Sequence, residues 1–345
     1  MERSAGAAPG LHGFPVALTS FVGRAAEADE VAARIGEHRL VTVTGPGGAG
    51  KTRLAGVVAR RMAARFADGA WLASLAAVRD PGRVAGTVAA SLGIREVPAH
   101  AAAAALARAL ARRQLLLVLD NCEHVIDGAA ELCGAVLLGA DDVRVLATSR
   151  EPLRIAGESR YRLGPLALDP PGSGAVSSEA VELFADRARM ADPGFALDER
   201  TGPAVARLMA RLDGMPLAIE LAAARVESLG VAQLLDGMDD DRFGLLADGD
   251  RLAEERQQSL AATVGWSYEL LDPDEQRVFR AVSVFPGPFT LDGAVAVARA
   301  VSAERAVVRR AVPAPATASA ASRVNGPGNT DTARNTRCSK PSSSR

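Results

Sequence analysis

A chain of 345 residues, 48% of them apolar, has room for about two or three domains and a sizeable core. Its formal net charge of −1 gives no reason to expect a polyanionic partner, and no apolar run reaches the roughly 18–20 residues that cross a bilayer. The N-terminus has no h-region, and Cys122, Cys133 and Cys338 make neither a disulfide framework nor a metal cluster, so a cytoplasmic, helix-rich protein without membrane contact is expected.

Residues 1–18 are rich in Gly, Pro and Ala and read as a flexible leader. A helix is expected over Ala25–Ile35. Leu40-Val-Thr-Val-Thr44 is a β-branched run suited to a buried strand. Gly45-Pro-Gly-Gly-Ala-Gly-Lys-Thr52 follows and fits G-x-x-x-x-G-K-[ST], with a helix expected from Arg53 to Ala64. Strand, glycine loop and helix are the context this phosphate-binding motif requires. Gly45, Pro46, Gly47, Gly48, Ala49 and Gly50 would cradle phosphate with backbone N–H groups at the positive end of a helix, which Arg53 opens.

Lys51 carries a further signal. The chain writes nearly every positive charge as arginine, and Lys340 is its only other lysine. A compact ammonium reaches the β- and γ-phosphates where a planar guanidinium is too broad for the loop. Thr52 would offer its hydroxyl to Mg²⁺.

Further strands are expected at Gly69–Leu75, Gln114–Asp120, Val143–Ala147 and Ser159–Leu163, with helices at Val84–Leu92, Ala101–Arg112 and Val125–Leu138. The alternation implies a parallel sheet with its ligand at the strands' carboxyl ends. Asp120 closes the apolar run Leu-Leu-Leu-Val-Leu-Asp and is the expected second Mg²⁺ ligand, roughly across from Thr52. Glu123 either orients an attacking water as general base or is a solvated loop carboxylate. Arg150, emerging beside Thr148 and Ser149, either touches the γ-phosphate or lies in a surface loop.

After Pro170-Pro-Gly172 the pattern becomes helical, with helices expected at Glu179–Met190, Gly202–Leu212, Pro216–Ser228 and Val231–Leu235. A compact helical module with a short wing is expected from Ser259 to about Ala300. From Ala311 onward there is no Leu, Ile, Met, Phe, Tyr or Trp, so that stretch cannot offset its ordering entropy and is expected to be disordered.

Six motifs then carry a resemblance: "LTSFVGR", "TVTGPGGAGKTRLA", "LLLVLDNCEHV", "RVLATSREPL", "GMPLAIELAAAR" and "TVGWSYELLDPDEQRVFRAVSVFPGPF". In order and spacing, over about Leu18 to Ala300, the chain resembles the STAND class of P-loop ATPases. It is most similar there to the bacterial AP-ATPase/NB-ARC-type, LuxR-family-like ATP-binding transcriptional regulators. The resemblance implies an α/β P-loop NTPase domain with a parallel sheet (19–170), a helical lid (171–250) and a partial winged-helix domain (251–300), between the flexible leader (1–18) and the low-complexity, disordered tail (301–345) that composition indicates. It implies ADP with Mg²⁺ at rest, ATP exchange, slow hydrolysis and self-association in the ATP state. Carried over, Phe21, Val22, Gly23 and Arg24 line the adenine side. Lys51 and Thr52 are the Walker A pair, Asp120 the Walker B acid, Arg150 the sensor arginine, and Pro216 a base contact from the lid.

Two departures stand out. Asn121 stands where many relatives carry a second aspartate, and the tetratricopeptide-like repeats and helix-turn-helix of relatives are not found here. Sequence-specific DNA binding is therefore not expected from this chain alone. Two other readings stay open: a non-hydrolysing interaction module, and a P-loop phosphotransferase.

Overall fold

The computed structural model describes residues 10–94, 101–170, 176–240, 273–285 and 291–299. The chain divides into two compact units, 1–270 and 271–345.

In the first unit the strands are β1 (Leu11–His12), β2 (Leu40–Thr44), β3 (Ala70–Ser74), β4 (Leu116–Asp120), β5 (Arg144–Ser149) and β6 (Glu158–Arg162). They form one parallel sheet in the order β1-β3-β4-β5-β2-β6. The strand ending in Asp120 is thus one strand removed from the strand that feeds the glycine loop, with β5 between them.

The sheet is covered on both faces by α1 (Ala25–Glu37), α2 (Lys51–Met62), α3 (Val84–Ser91), α4 (Ala102–Leu110) and α5 (Ile126–Gly139). Alternation along β4 explains how a wholly apolar strand serves two layers. Leu116 and Val118 face Leu54, Val58 and Met62 of α2, whereas Leu117 and Leu119 face Leu106, Leu132 and Val136 of α4 and α5. At the end of α5, Arg39 donates to the carbonyls of Leu137 (2.8 Å) and Ala140 (2.5 Å), capping carbonyls the helix leaves open.

The leader expectation needs correcting at Leu11 and His12. Leu11 and His12 form edge strand β1 against Ala70 and Trp71, and the His12 ring stacks on Trp71 with centroids 3.8 Å apart. A two-residue strand has too little periodicity to register in sequence; a neighbouring aromatic face holds it.

The helical region that follows comprises α6 (Glu179–Ala191), α7 (Gly202–Arg211), α8 (Pro216–Ala223) and α9 (Val226–Asp240). Its core gathers Phe184, Leu208, Met209, Leu212, Ile219 and Leu234, with Phe184 edge-on to Phe195 at 5.8 Å. The long helix expected over Pro216–Ser228 stops at Ala223, and α9 kinks at Gly230, whose φ is 67°. Truncating Phe184 to Ala should cost about 3–5 kcal/mol, because a fully buried ring leaves a cavity. Urea unfolding followed by far-UV circular dichroism measures it.

In the second unit, α10 (Pro273–Val282) and α11 (Leu291–Arg299) pack Val278 and Val282 against Ala294, Val295 and Ala298. The rest of the region expected to be winged-helix, and the tail from Ala311, lie outside the described residues. Among the described residues, no helix is long and apolar enough to cross a membrane.

Candidate nucleotide site

Strand β2 delivers the chain into the loop Gly45–Gly50, and α2 begins at Lys51. Gly50 caps that helix with φ 88°, a conformation that side chains with a Cβ rarely adopt. Gly48 has φ 74°, and a Cβ there would lie 2.9 Å from Cβ of Leu217, so loop and lid helix α8 touch directly. The Leu217 amide donates to the Gly48 carbonyl at 3.2 Å. The ladder of α2 opens with Leu54 N–H to Gly50 O (2.9 Å), so the amides of Thr52 and Arg53 precede it at the helix's positive end.

Lys51 is buried, and its Nζ donates to the carbonyls of Gly45 (2.9 Å) and Pro46 (3.0 Å). Behind the loop, Thr52 Oγ1 donates to Asp120 Oδ1 at 2.8 Å. Thr148 Oγ1, from β5, donates to the same oxygen at 2.5 Å and accepts from the Asn121 amide at 3.1 Å. Asp120 is 4% exposed, and burial is the main cause that raises its pKa. The hydroxyls of Thr148 and Thr52 and the charge of Lys51 oppose that rise, whereas Glu123 adds to it.

Asn121 sits at the strand end with φ 64°, a left-handed position in which Asn is enriched among residues bearing a Cβ. The next turn holds Glu123, whose side chain is nearly buried and ion-paired to Arg150 (Oε1 to Nε, 3.5 Å). His124 Nε2 meets the Leu75 carbonyl at 2.8 Å, tying the turn to the end of β3. Cys122 is fully buried and burial pushes its thiol pKa well up, leaving it a packing group.

The strap before α1, residues 19–24, forms one wall of the site. Arg24 adopts φ 59°, its amide donates to Glu179 Oε1 of α6 (2.6 Å), and its Nη2 donates to the Gly164 carbonyl (2.8 Å). Burial is the main cause that lowers the pKa of Arg24.

A cavity of about 230 Å³ lies where strap, loop, sheet edge and lid converge. Of the residues expected at the site, Phe21, Val22, Arg24, Gly47, Gly48, Ala49, Gly50, Lys51, Thr52, Arg53, Glu123, Arg150 and Pro216 line it. Gly45 and Pro46 lie behind it as acceptors for Lys51, Gly23 abuts Glu179, and Asp120 sits behind Thr52. Sequence reasoning missed Ser20, Leu166, Leu183, Arg187, Leu217 and Glu220 on the same wall. Leu183 and Arg187 read as ordinary members of an amphipathic helix, and Leu217 and Glu220 lie inside the motif that holds Pro216 without a residue-level signal of their own.

The residues fit a magnesium nucleotide. Arg24 Nη1, on a lining residue, is buried without a hydrogen-bond partner, a costly state that an accepting atom of a ligand relieves. Among the described residues no cluster of three or more His, Cys, Asp or Glu could hold a metal by itself. One carboxylate and one hydroxyl instead match the way Mg²⁺ is bound, with phosphate oxygens and water completing its shell.

This loop, its helix, and an acid one strand away on a parallel sheet define a P-loop NTPase. A family model, Novel STAND NTPase 1, matches residues 9–152. A protein of Mycobacterium tuberculosis whose name gives no function is 41% identical over 280 residues, covering 81% of this chain and 69% of its own length. A second protein of that organism, named "Putative HTH-type transcriptional regulator", is 43% identical over 266 residues, which is 77% of this chain but 29% of the relative. This chain therefore spans under a third of that regulator's length. In the Walker-type ATPase of Pyrococcus abyssi the fold recurs at a TM-score of 0.52 and 14% identity, covering 86% of this chain and 87% of that one. The chain belongs to the STAND class of P-loop NTPases.

Proposed function

We propose that the chain is the nucleotide switch of a transcriptional regulator, holding ADP or ATP with Mg²⁺ between its P-loop domain and its lid, as in AP-ATPase/NB-ARC-type proteins. The observation that carries this reading is a cavity walled jointly by strap, P-loop, sheet edge and lid. A ligand spanning all four walls biases how they are arranged, which is what a switch requires. The naming of a relative as a transcriptional regulator supports the wider role, and self-association in the ATP state belongs to the same proposal.

Each residue has a task in this reading. Lys51 and the loop amides hold the β- and γ-phosphates. Thr52 and Asp120 hold Mg²⁺, which neutralises phosphate charge when bound. Phe21, Val22 and Pro216 flank the base, and Arg24 supplies a donor at that side. Arg150, ion-paired to Glu123, would exchange that partner for a γ-phosphate oxygen when ATP binds.

A specific observation favours slow hydrolysis over rapid turnover. Asn121, next to the Walker B acid, cannot take a proton, which leaves that task to Glu123 alone of the two. Replacing Arg150 with Ala should weaken ATP by about ten- to hundredfold, one charge-assisted hydrogen bond, and change ADP little. Titration calorimetry with both nucleotides checks this. Equal losses would remove the γ-phosphate contact from the reading. Single-turnover hydrolysis by the wild-type chain separates a slow ATPase from a non-hydrolysing module.

A further inference from the structure

Arg53 follows Thr52 directly, in the first turn of α2, yet its guanidinium is engaged outside the loop. Nη1 donates to Glu220 Oε1 on α8 at 2.8 Å. Nη2 donates to the Thr19 carbonyl (3.2 Å), the Thr19 hydroxyl (2.5 Å) and the Ser20 carbonyl (3.0 Å) of the strap. Arg187 of α6, only 8% exposed, reaches the same Glu220 oxygen at 3.1 Å and the same Ser20 carbonyl at 2.8 Å. At the strap's other end, the Arg24 amide donates to Glu179 of α6. Strap, α6 and α8 are thereby joined into one body, and Arg53 is the charged side chain with which the P-loop helix grips it.

Resting on the nucleotide-binding reading, we propose that Arg53 is a positioning residue that clasps the lid body to the P-loop helix and sets the rate at which nucleotide leaves. Its neighbour Thr52 bonds Asp120 while Arg53 bonds lid and strap, so one helical turn joins the proposed metal site to the lid. The Arg53–Glu220 pair is partly exposed, and an isolated pair of that kind contributes little. What strengthens the clasp is the planar fork, whose two nitrogens serve four acceptors on two segments at once. A lysine ammonium has no such fork. Leu217 on Gly48 gives the closed lid a second, apolar contact, so loss of the clasp should loosen the lid without unfolding it.

The test follows release of ADP carrying a fluorescent ribose label, by stopped flow with excess unlabelled ADP. Arg53→Met should release it about tenfold faster, the loss of one charge-assisted contact set, with its Tm close to wild type. Arg53→Lys should recover only part of the loss. Wild-type release should quicken with added salt, and Arg53→Met should show a shallower salt dependence than wild type, a signature that a packing role alone does not produce. Unchanged release in Arg53→Met, or a salt dependence equal to wild type, would overturn the clasp while leaving nucleotide binding intact. If the wild-type chain bound no labelled ADP, the clasp would fall together with the functional reading.

Discussion

Replacing Lys51 with Ala is expected to abolish measurable binding of ATP and ADP, a loss of more than about a hundredfold from removing a cation that serves two phosphates. Lys51→Arg should rescue this poorly. The ammonium lies in a buried slot, 2.9 Å from the Gly45 carbonyl and 3.0 Å from that of Pro46. A guanidinium is broader and carries its donors in a plane, so it cannot occupy that slot and still aim at a phosphate. Without nucleotide, both variants should unfold within about 1 kcal/mol of wild type, since the lysine's bonds to the loop are individually modest. Titration calorimetry and thermal unfolding together measure the two effects. An arginine variant that bound ATP as tightly as wild type would remove steric fit as the reason this chain keeps a lysine there.

The phosphate loop was readable in the sequence because its signals are local. A β-branched run, glycines at fixed offsets and one lysine in an arginine-rich chain lie within a dozen residues. Asp120 was readable too, since a wholly apolar strand that ends in a carboxylate is conspicuous. Its actual environment was not. Thr148 shares Oδ1 with Thr52 because β5 inserts between β2 and β4, and strand order is not written in any one segment. The lid network was still less visible. Arg53 meets Glu220 from 167 positions away, and Arg187 meets Ser20 across the same separation. Arg187 looks like a solvent-facing residue on an amphipathic helix, and tertiary packing alone buries it. The break expected between Ser228 and Val231 falls at Gly230, where α9 kinks, but nothing in Pro216–Ser228 announces a stop at Ala223. Glu123 and Arg150 were each left with two readings, and their mutual ion pair ties the two questions into one.

Asp120→Asn should separate stability from function in opposite directions. Asn has the same shape and can still accept through Oδ1 from Thr52 and Thr148, so the local network should survive. Burial disfavours the ionised carboxylate and raises its pKa in the folded chain. The folded protein therefore holds that proton more readily than the unfolded one. The resulting contribution to stability is complete below the ordinary carboxylate pKa of about 3.9 and is lost as pH rises through the raised folded value. A neutral asparagine escapes that loss. The nucleotide-free variant should consequently melt a few degrees above wild type at neutral pH, and the gap should close as pH falls toward the ordinary carboxylate range. Function should move the other way, because an amide is a poor Mg²⁺ ligand beside a carboxylate. The Mg²⁺-dependent part of ATP affinity should drop by at least about tenfold, while binding measured in excess chelator should change little. Thermal unfolding across pH, paired with ATP titrations with and without Mg²⁺, tests both halves. A variant that melted below wild type by the same margin at every pH would show that the charge on Asp120 stabilises the nucleotide-free fold. A variant with unaltered Mg²⁺ dependence would remove Asp120 from the proposed metal site.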